Sequence, residues 1–257
     1  MSRNILLIVE GSVFEQNIFD NVFKKYGFNT IVSEKKMDVE GVGEFDKFEY
    51  KMDNNNIVII QGPRNRIHDF IRYYNANEME IEKAFSYSYA FFSGIFLIYD
   101  VDHNDCDDVC KMFNKFADES SGILLLSSPC IEVIADYNRN RPETKYSHLS
   151  EYKADINNYY NGATTKHIID HFNDLMIYFL KKNYEDFGES NIMLHPGLIV
   201  KSINLYNERV NCYDKKQSFV VYRFFSTVIY VAIAFANGLT KDIDNYEKVM
   251  DFFSKPL

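Results

Sequence analysis

The chain has 257 residues, 46% of them hydrophobic, enough for one large domain or a domain with a substantial extension, and too apolar for global disorder. A formal charge of -9 excludes a protein that coats nucleic acid by bulk electrostatics, though divalent metals can bridge acidic side chains to phosphates. The four cysteines, Cys106, Cys110, Cys130 and Cys212, form no C-x-x-C pair and read as reduced thiols of a cytoplasmic protein.

Residues 5 to 9, ILLIV, form a continuous apolar run that predicts a buried strand stopping on Glu10. The N-terminal apolar stretch is too short for a signal peptide. Residues 13 to 25 place Phe14, Ile18, Val22 and Phe23 on one helical face, and Gly27 supplies the stop. FNTIVSE (28 to 34) is a second expected strand, and EFDKFEYKM (44 to 52) an edge strand or hairpin arm. NIVIIQGP (56 to 63) is a strand ending in a Gly-Pro turn, followed by a helix with Ile67, Phe70, Ile71 and Tyr74 inward.

GIFLIYD (94 to 100) is the next buried strand, and residues 105 to 118 the next helix, with acids in its first turn. GILLLS (122 to 127) is another strand, after which Pro129 opens a helix over IEVIADY. Near Tyr137 the composition turns polar, and the later patterns, 166 to 187, 196 to 210, 218 to 236 and 242 to 253, look helical. The longest apolar stretch, 219 to 238, is interrupted by Arg223, leaving a run shorter than the roughly 20 residues of a membrane span. It reads as a buried or interface helix, a candidate homodimer contact, and no membrane association is expected.

Continuous apolar strands separated by helices predict a mostly parallel sheet flanked by helices, a Rossmann-like α/β domain over 1–137, then a mainly helical C-terminal extension over 138–257. Such sheets carry function at the carboxyl ends of their strands, where Glu10 and Asp100 fall. Asp100 and Asp102 form a D-x-D at a strand end, and a hard divalent cation that keeps several waters needs only two or three carboxylates. Each acid alone also fits a solvated loop or a helix cap, Asp105 included.

These residues resemble the Toprim domain, the metal-binding domain shared by topoisomerases, bacterial primases, small RNA-maturation nucleases and OLD (overcoming-lysogenization-defect) nucleases. The match rests on VEGSVFE (9 to 15), DVD (100 to 102) and SSPCIEVIADY (127 to 137). The third stretch is similar to the S-N-P-C-F-E-x-W segment of the RloB-like branch of OLD-type proteins. That branch also carries E-G-x-x-T-E, matched by Glu10, Gly11 and Glu15. The chain departs at Phe14 for threonine, Ser128 for asparagine and Ile131 for phenylalanine, and no tryptophan follows.

The resemblance covers residues 4 to 137. It implies Glu10 as metal ligand or general acid/base, Glu15 as a second acid, Asp100 and Asp102 as metal ligands, and Glu132 as a ligand for a second metal. It implies Mg²⁺- or Mn²⁺-dependent cleavage of DNA or RNA phosphodiester bonds, tRNA included, often in antiviral defence by abortive infection. No G-x-x-x-x-G-K-[ST] occurs in the chain, so no P-loop ATPase is fused to it, and the resemblance allows a separate ATPase partner because OLD-type Toprim domains commonly work with one. Two alternatives stand beside the nuclease: a latent effector released or activated by an ATPase sensor, and a non-catalytic Toprim scaffold that binds nucleic acid or protein.

Arg64 and Arg66, and then Arg139, Arg141 and Lys145, are the basic clusters available to hold a nucleic-acid backbone; each also fits an ordinary charged loop. His103 lies beside the D-x-D. His167 and His171 have the i, i+4 spacing of zinc ligands without the H-E-x-x-H glutamate or an evident third ligand.

Overall fold

The computed structural model describes residues 3–10, 14–39, 43–62, 87, 89–100, 116–118, 122–139, 143–187, 220–223, 225–228, 231, 232, 234 and 246–255. Two compact units are present: residues 1–98 with 119–123, and residues 99–118 with 124–257. The division falls inside two strands, which belong in part to each unit.

The first unit is organised by β1 (Asn4–Glu10), whose Ile5 to Val9 are all buried. It pairs in parallel with β4 (Asn55–Gly62) and with β5 (Gly94–Asp100), through Val9↔Gln61 and Val9↔Ile98. All three strands are apolar on both faces, as a covered parallel sheet requires. Helix α1 (Phe14–Lys25) follows β1 and buries Ile18, Phe19, Val22 and Phe23; the Phe23 ring meets Tyr50 edge-on at 5.3 Å. Gly27, at φ +90, closes the helix in a conformation that disfavours a side chain.

The sheet continues as an antiparallel wing. β2 (Asn29–Val39) pairs with β3 (Gly43–Met52), and β3 with β4 across a two-residue turn in which Asp53 has φ +52. β3 is thus a hairpin arm inside the sheet, and the charged, bulged β2 is the edge, a composition that discourages pairing with other chains. Gly62 ends β4 beside Glu10 in register, and a Cβ there would lie 2.4 Å from the Phe45 ring.

Among the described residues the strand order is β10-β7-β5-β1-β4-β3-β2, where β10 is Phe225–Ser226, with β6 (Ala117–Asp118) also on β7 (Gly122–Ser128). The architecture is therefore a mixed α/β fold whose central sheet is parallel in its middle and flanked by helices, compatible with a Rossmann-like arrangement.

After β7 come α2 (Val133–Asp136), a 3-10 turn (Tyr137–Arg139), β8 (Glu143–Tyr146), α3 (Leu149–Tyr159), α4 (Thr164–Asp170), α5 (Phe172–Phe187), β9 (Val220–Arg223), β10 (Phe225–Ser226) and α6 (Tyr246–Ser254). Several expectations are corrected here. The helix expected over 105–118 does not extend to its end, because Ala117 and Asp118 pair with β7 as a strand. The helix expected over 218–236 opens instead as two strands: β9 pairs with β8, and β10 pairs antiparallel with β7 through Ser226↔Ser127. The run Val220-Val221-Tyr222 is β-branched and aromatic, and hydrophobic continuity alone does not separate a buried helix from a buried strand. The segment 166–187 is two helices, parted at His171. Among the described residues no helix is long and apolar enough to cross a membrane.

Candidate metal centre

β5 ends on Asp100, whose residue is half-buried. β7 runs through Ser128 into Pro129, Cys130, Ile131 and Glu132, with a cis Ser128–Pro129 peptide. Cys130 is completely buried, and Glu132 stands at the N-cap of α2. The carboxylate of Glu132 makes no capping hydrogen bond, so helix capping does not account for it. Ligand atoms of Asp100, Cys130 and Glu132 all lie within 4.8 Å of one another.

Glu132 is the informative member. Its Oε1 is 3.4 Å from the Lys153 ammonium on α3, while its Oε2 is buried with no hydrogen-bond partner among the described residues. A buried carboxylate oxygen without a donor costs free energy, on the order of 1–3 kcal/mol or more, unless something else satisfies it. The donor set of two carboxylates and one thiol suits a divalent cation.

Burial and neighbouring charge act on the cluster together. Burial pushes the Cys130 thiol well above its usual range, and the negative charges of Glu132 and Asp100 push it further, against Lys153. The sulfur is therefore a neutral thiol unless a cation draws off its proton. Burial pulls the Lys153 ammonium down, but the acidic neighbours Cys130, Glu132 and Asp100 outweigh it and hold it above the usual lysine value. Tyr152, beside Lys153 in sequence, is buried and held as a neutral phenol, first by that burial and then by the negative charge around it.

Of the residues singled out in the sequence, Asp100 and Glu132 are brought together. Glu10 ends β1, half-buried, and Glu15 lies in the first turn of α1 at 8% exposure; both belong to the first unit. Asp102, His103, Arg64, Arg66 and Arg141 lie outside the described residues, as does the 196–210 segment. Arg139 turns inward. It pairs with Asp136 at 3.2 Å and Asp155 at 3.1 Å and stacks on Tyr159, and its side chain is 13% exposed. Lys145 is an exposed residue of β8.

Two members of the cluster were not anticipated as site residues. Cys130 read as one of four reduced thiols, although its position two before Glu132, past a strand end, was the available signal. Lys153 had no local signal, since its contact is with a residue 21 positions earlier.

No family model matches the chain, and no curated protein matches it.

Proposed function

We propose that the chain is a divalent-metal-dependent nuclease that hydrolyses phosphodiester bonds, with its metal held at Asp100 and Glu132 and with Cys130 against the ion. The observation that carries this reading is the buried Oε2 of Glu132, without a hydrogen-bond partner among the described residues, inside a three-donor cluster. When bound, a divalent cation there supplies Lewis-acid polarisation of a phosphate and lowers the pKa of a bound water.

The chain's own groups have separate work. Asp100 and Glu132 bring the negative charge that retains a cation. Lys153, its side chain 44% exposed, keeps an ammonium at the edge of the cluster, where it counters the charge of a substrate phosphate. The Toprim resemblance also implies acid roles for Glu10 and Glu15, which belong to the first unit, and for Asp102, which lies outside the described residues. The same resemblance supplies the setting: nucleic-acid cleavage in antiviral defence, with an ATPase partner as the switch of a latent form.

A second reading, the non-catalytic scaffold, is favoured by one observation: Lys153 already offers Glu132 a positive partner without any metal. The two separate in a cleavage assay on DNA and tRNA with Mg²⁺ or Mn²⁺. Nuclease chemistry predicts metal-dependent cutting that falls by about 100-fold or more in Glu132→Gln and Asp100→Asn. Metal-independent binding with no cutting, alone or with an ATPase partner, would leave the scaffold.

A further inference from the structure

A second feature of the same unit lies along α3. Lys153 reaches Glu132, and seven residues on, nearly two helical turns along the same face, the Tyr160 hydroxyl donates to the Ala135 carbonyl at 2.7 Å. Around Tyr160 four rings follow one another. Tyr159 meets Tyr160 edge-on at 4.9 Å, Tyr160 stacks on His167 at 4.1 Å, and His167 contacts His171 at 4.7 Å. The inner rings, Tyr160 and His167, are half-buried, whereas Tyr159 is 58% exposed and the His171 side chain 52% exposed.

The series is fixed in place. Asn161 and Gly162, at φ +52 and +78, turn the chain between α3 and α4 and bring the His167 ring onto Tyr160. Asn138 meets His167 Nε2 at 3.3 Å, and the Arg139 guanidinium lies 4.3 Å over the Tyr159 ring. The acids nearby have partners: Asp136 and Asp155 pair with Arg139, Asp170 with Lys166, and Asp174 approaches His171 at 3.9 Å. Singly exposed aromatics are ordinary, but a rigid run of rings with both ends open to water is a surface with a preferred ligand geometry.

We propose that this run is a stacking platform for the bases of unpaired nucleotides flanking the bond to be cut, so that the substrate is single-stranded or locally unwound. The inference takes its nucleic-acid ligand from the nuclease reading above. Charge favours that contact mode: a chain at -9 gains little from phosphate attraction, whereas base faces stack on aromatic rings and on guanidinium planes whatever the net charge. Distance allows it as well. Seven residues of helix separate Lys153 from Tyr160, roughly 10 Å, or about three stacked nucleotide steps of roughly 3.4 Å.

The test is fluorescence anisotropy of the full chain, in EDTA, with a labelled oligothymidylate, an abasic strand of equal length and a duplex. The thymidylate is expected to bind more tightly than the other two, with a shallow salt dependence. Tyr159→Ala and His171→Ala should each weaken it by roughly 5- to 100-fold, and Tyr159→Phe should bind as wild type. Equal affinity for the abasic strand, unchanged binding by both alanine variants, or no binding by wild type overturns the platform. Ring-dependent binding without cleavage in any metal keeps the platform and removes the nuclease. Cleavage that Tyr159→Ala and His171→Ala leave intact, with unchanged binding, does the reverse.

Discussion

Two charge clusters, one in each unit, are built differently, and only the first is buried throughout. In the first unit Lys47 and Glu49 sit two residues apart on β3, 4% and 5% exposed, with Nζ 2.9 Å from Oε1. The Tyr87 hydroxyl donates to the other oxygen, Oε2, at 2.8 Å. Both carboxylate oxygens are satisfied at short range. In the second unit Glu132 holds its lysine at 3.4 Å, has a second carboxylate and a thiol close by, and leaves Oε2 without a hydrogen bond among the described residues. A closed cluster stabilises a fold and has nothing left to offer a ligand; an open one carries electrostatic cost that a ligand can relieve.

The largest expected effect breaks the closed cluster. Glu49→Ala strands a buried ammonium and should lower unfolding free energy by about 3–5 kcal/mol in urea titration. Glu132→Gln, measured in the same titration without metal, should cost much less, because the lysine it releases is 44% exposed and can be hydrated. Equal losses in the two variants would erase the contrast.

Metal sharpens it next. Mn²⁺ at about 100 times its dissociation constant should add about 2.7 kcal/mol to wild type, read as a rise in melting temperature. The same addition should leave Glu132→Gln nearly unmoved and should raise Glu49→Gln as much as wild type.

The smallest effect is a pH dependence. Burial first, then the hydrogen bond and charge of Glu49, push the Tyr87 phenol from 10.0 up to about 12. A folded value above the unfolded one means its contribution is whole below about pH 10 and is lost as pH climbs toward 12. Tyr87→Phe should therefore cost about 1–2 kcal/mol at neutral pH, and the gap to wild type should narrow in denaturant titrations above pH 10.

The sheet's centre was legible because β1, β4, β5 and β7 are continuous apolar runs bounded by turn signals, and burial on both faces writes itself directly into composition. Asp100 was legible for a related reason, since a residue that ends such a strand is placed by the strand; Glu132, four residues past the end of β7, was named only through the resemblance carried by 127 to 137. The failures share a cause as well. Val220–Arg223 and Phe225–Ser226 become strands because β8 and β7 offer partners far away in sequence, and no local pattern reports a partner. Lys153 was invisible on the same ground. The antiparallel wing lay between: β3 was recognisable as a hairpin arm, but its interior place depends on β2 continuing to Val39 through charged residues that resemble a loop.

Gly62 carries a consequence for comparing this chain with any relative. The contact at 2.4 Å means that positions 62 and 45 cannot drift independently. A lineage that acquires even a methyl group at the first must move or shrink the aromatic ring at the second, and a lineage that keeps the ring where it lies must keep the bare backbone. Paired substitution at these two sites, next to the strand end that bears Glu10, is a signature by which divergent copies of this architecture can be traced where the acidic motifs themselves have blurred.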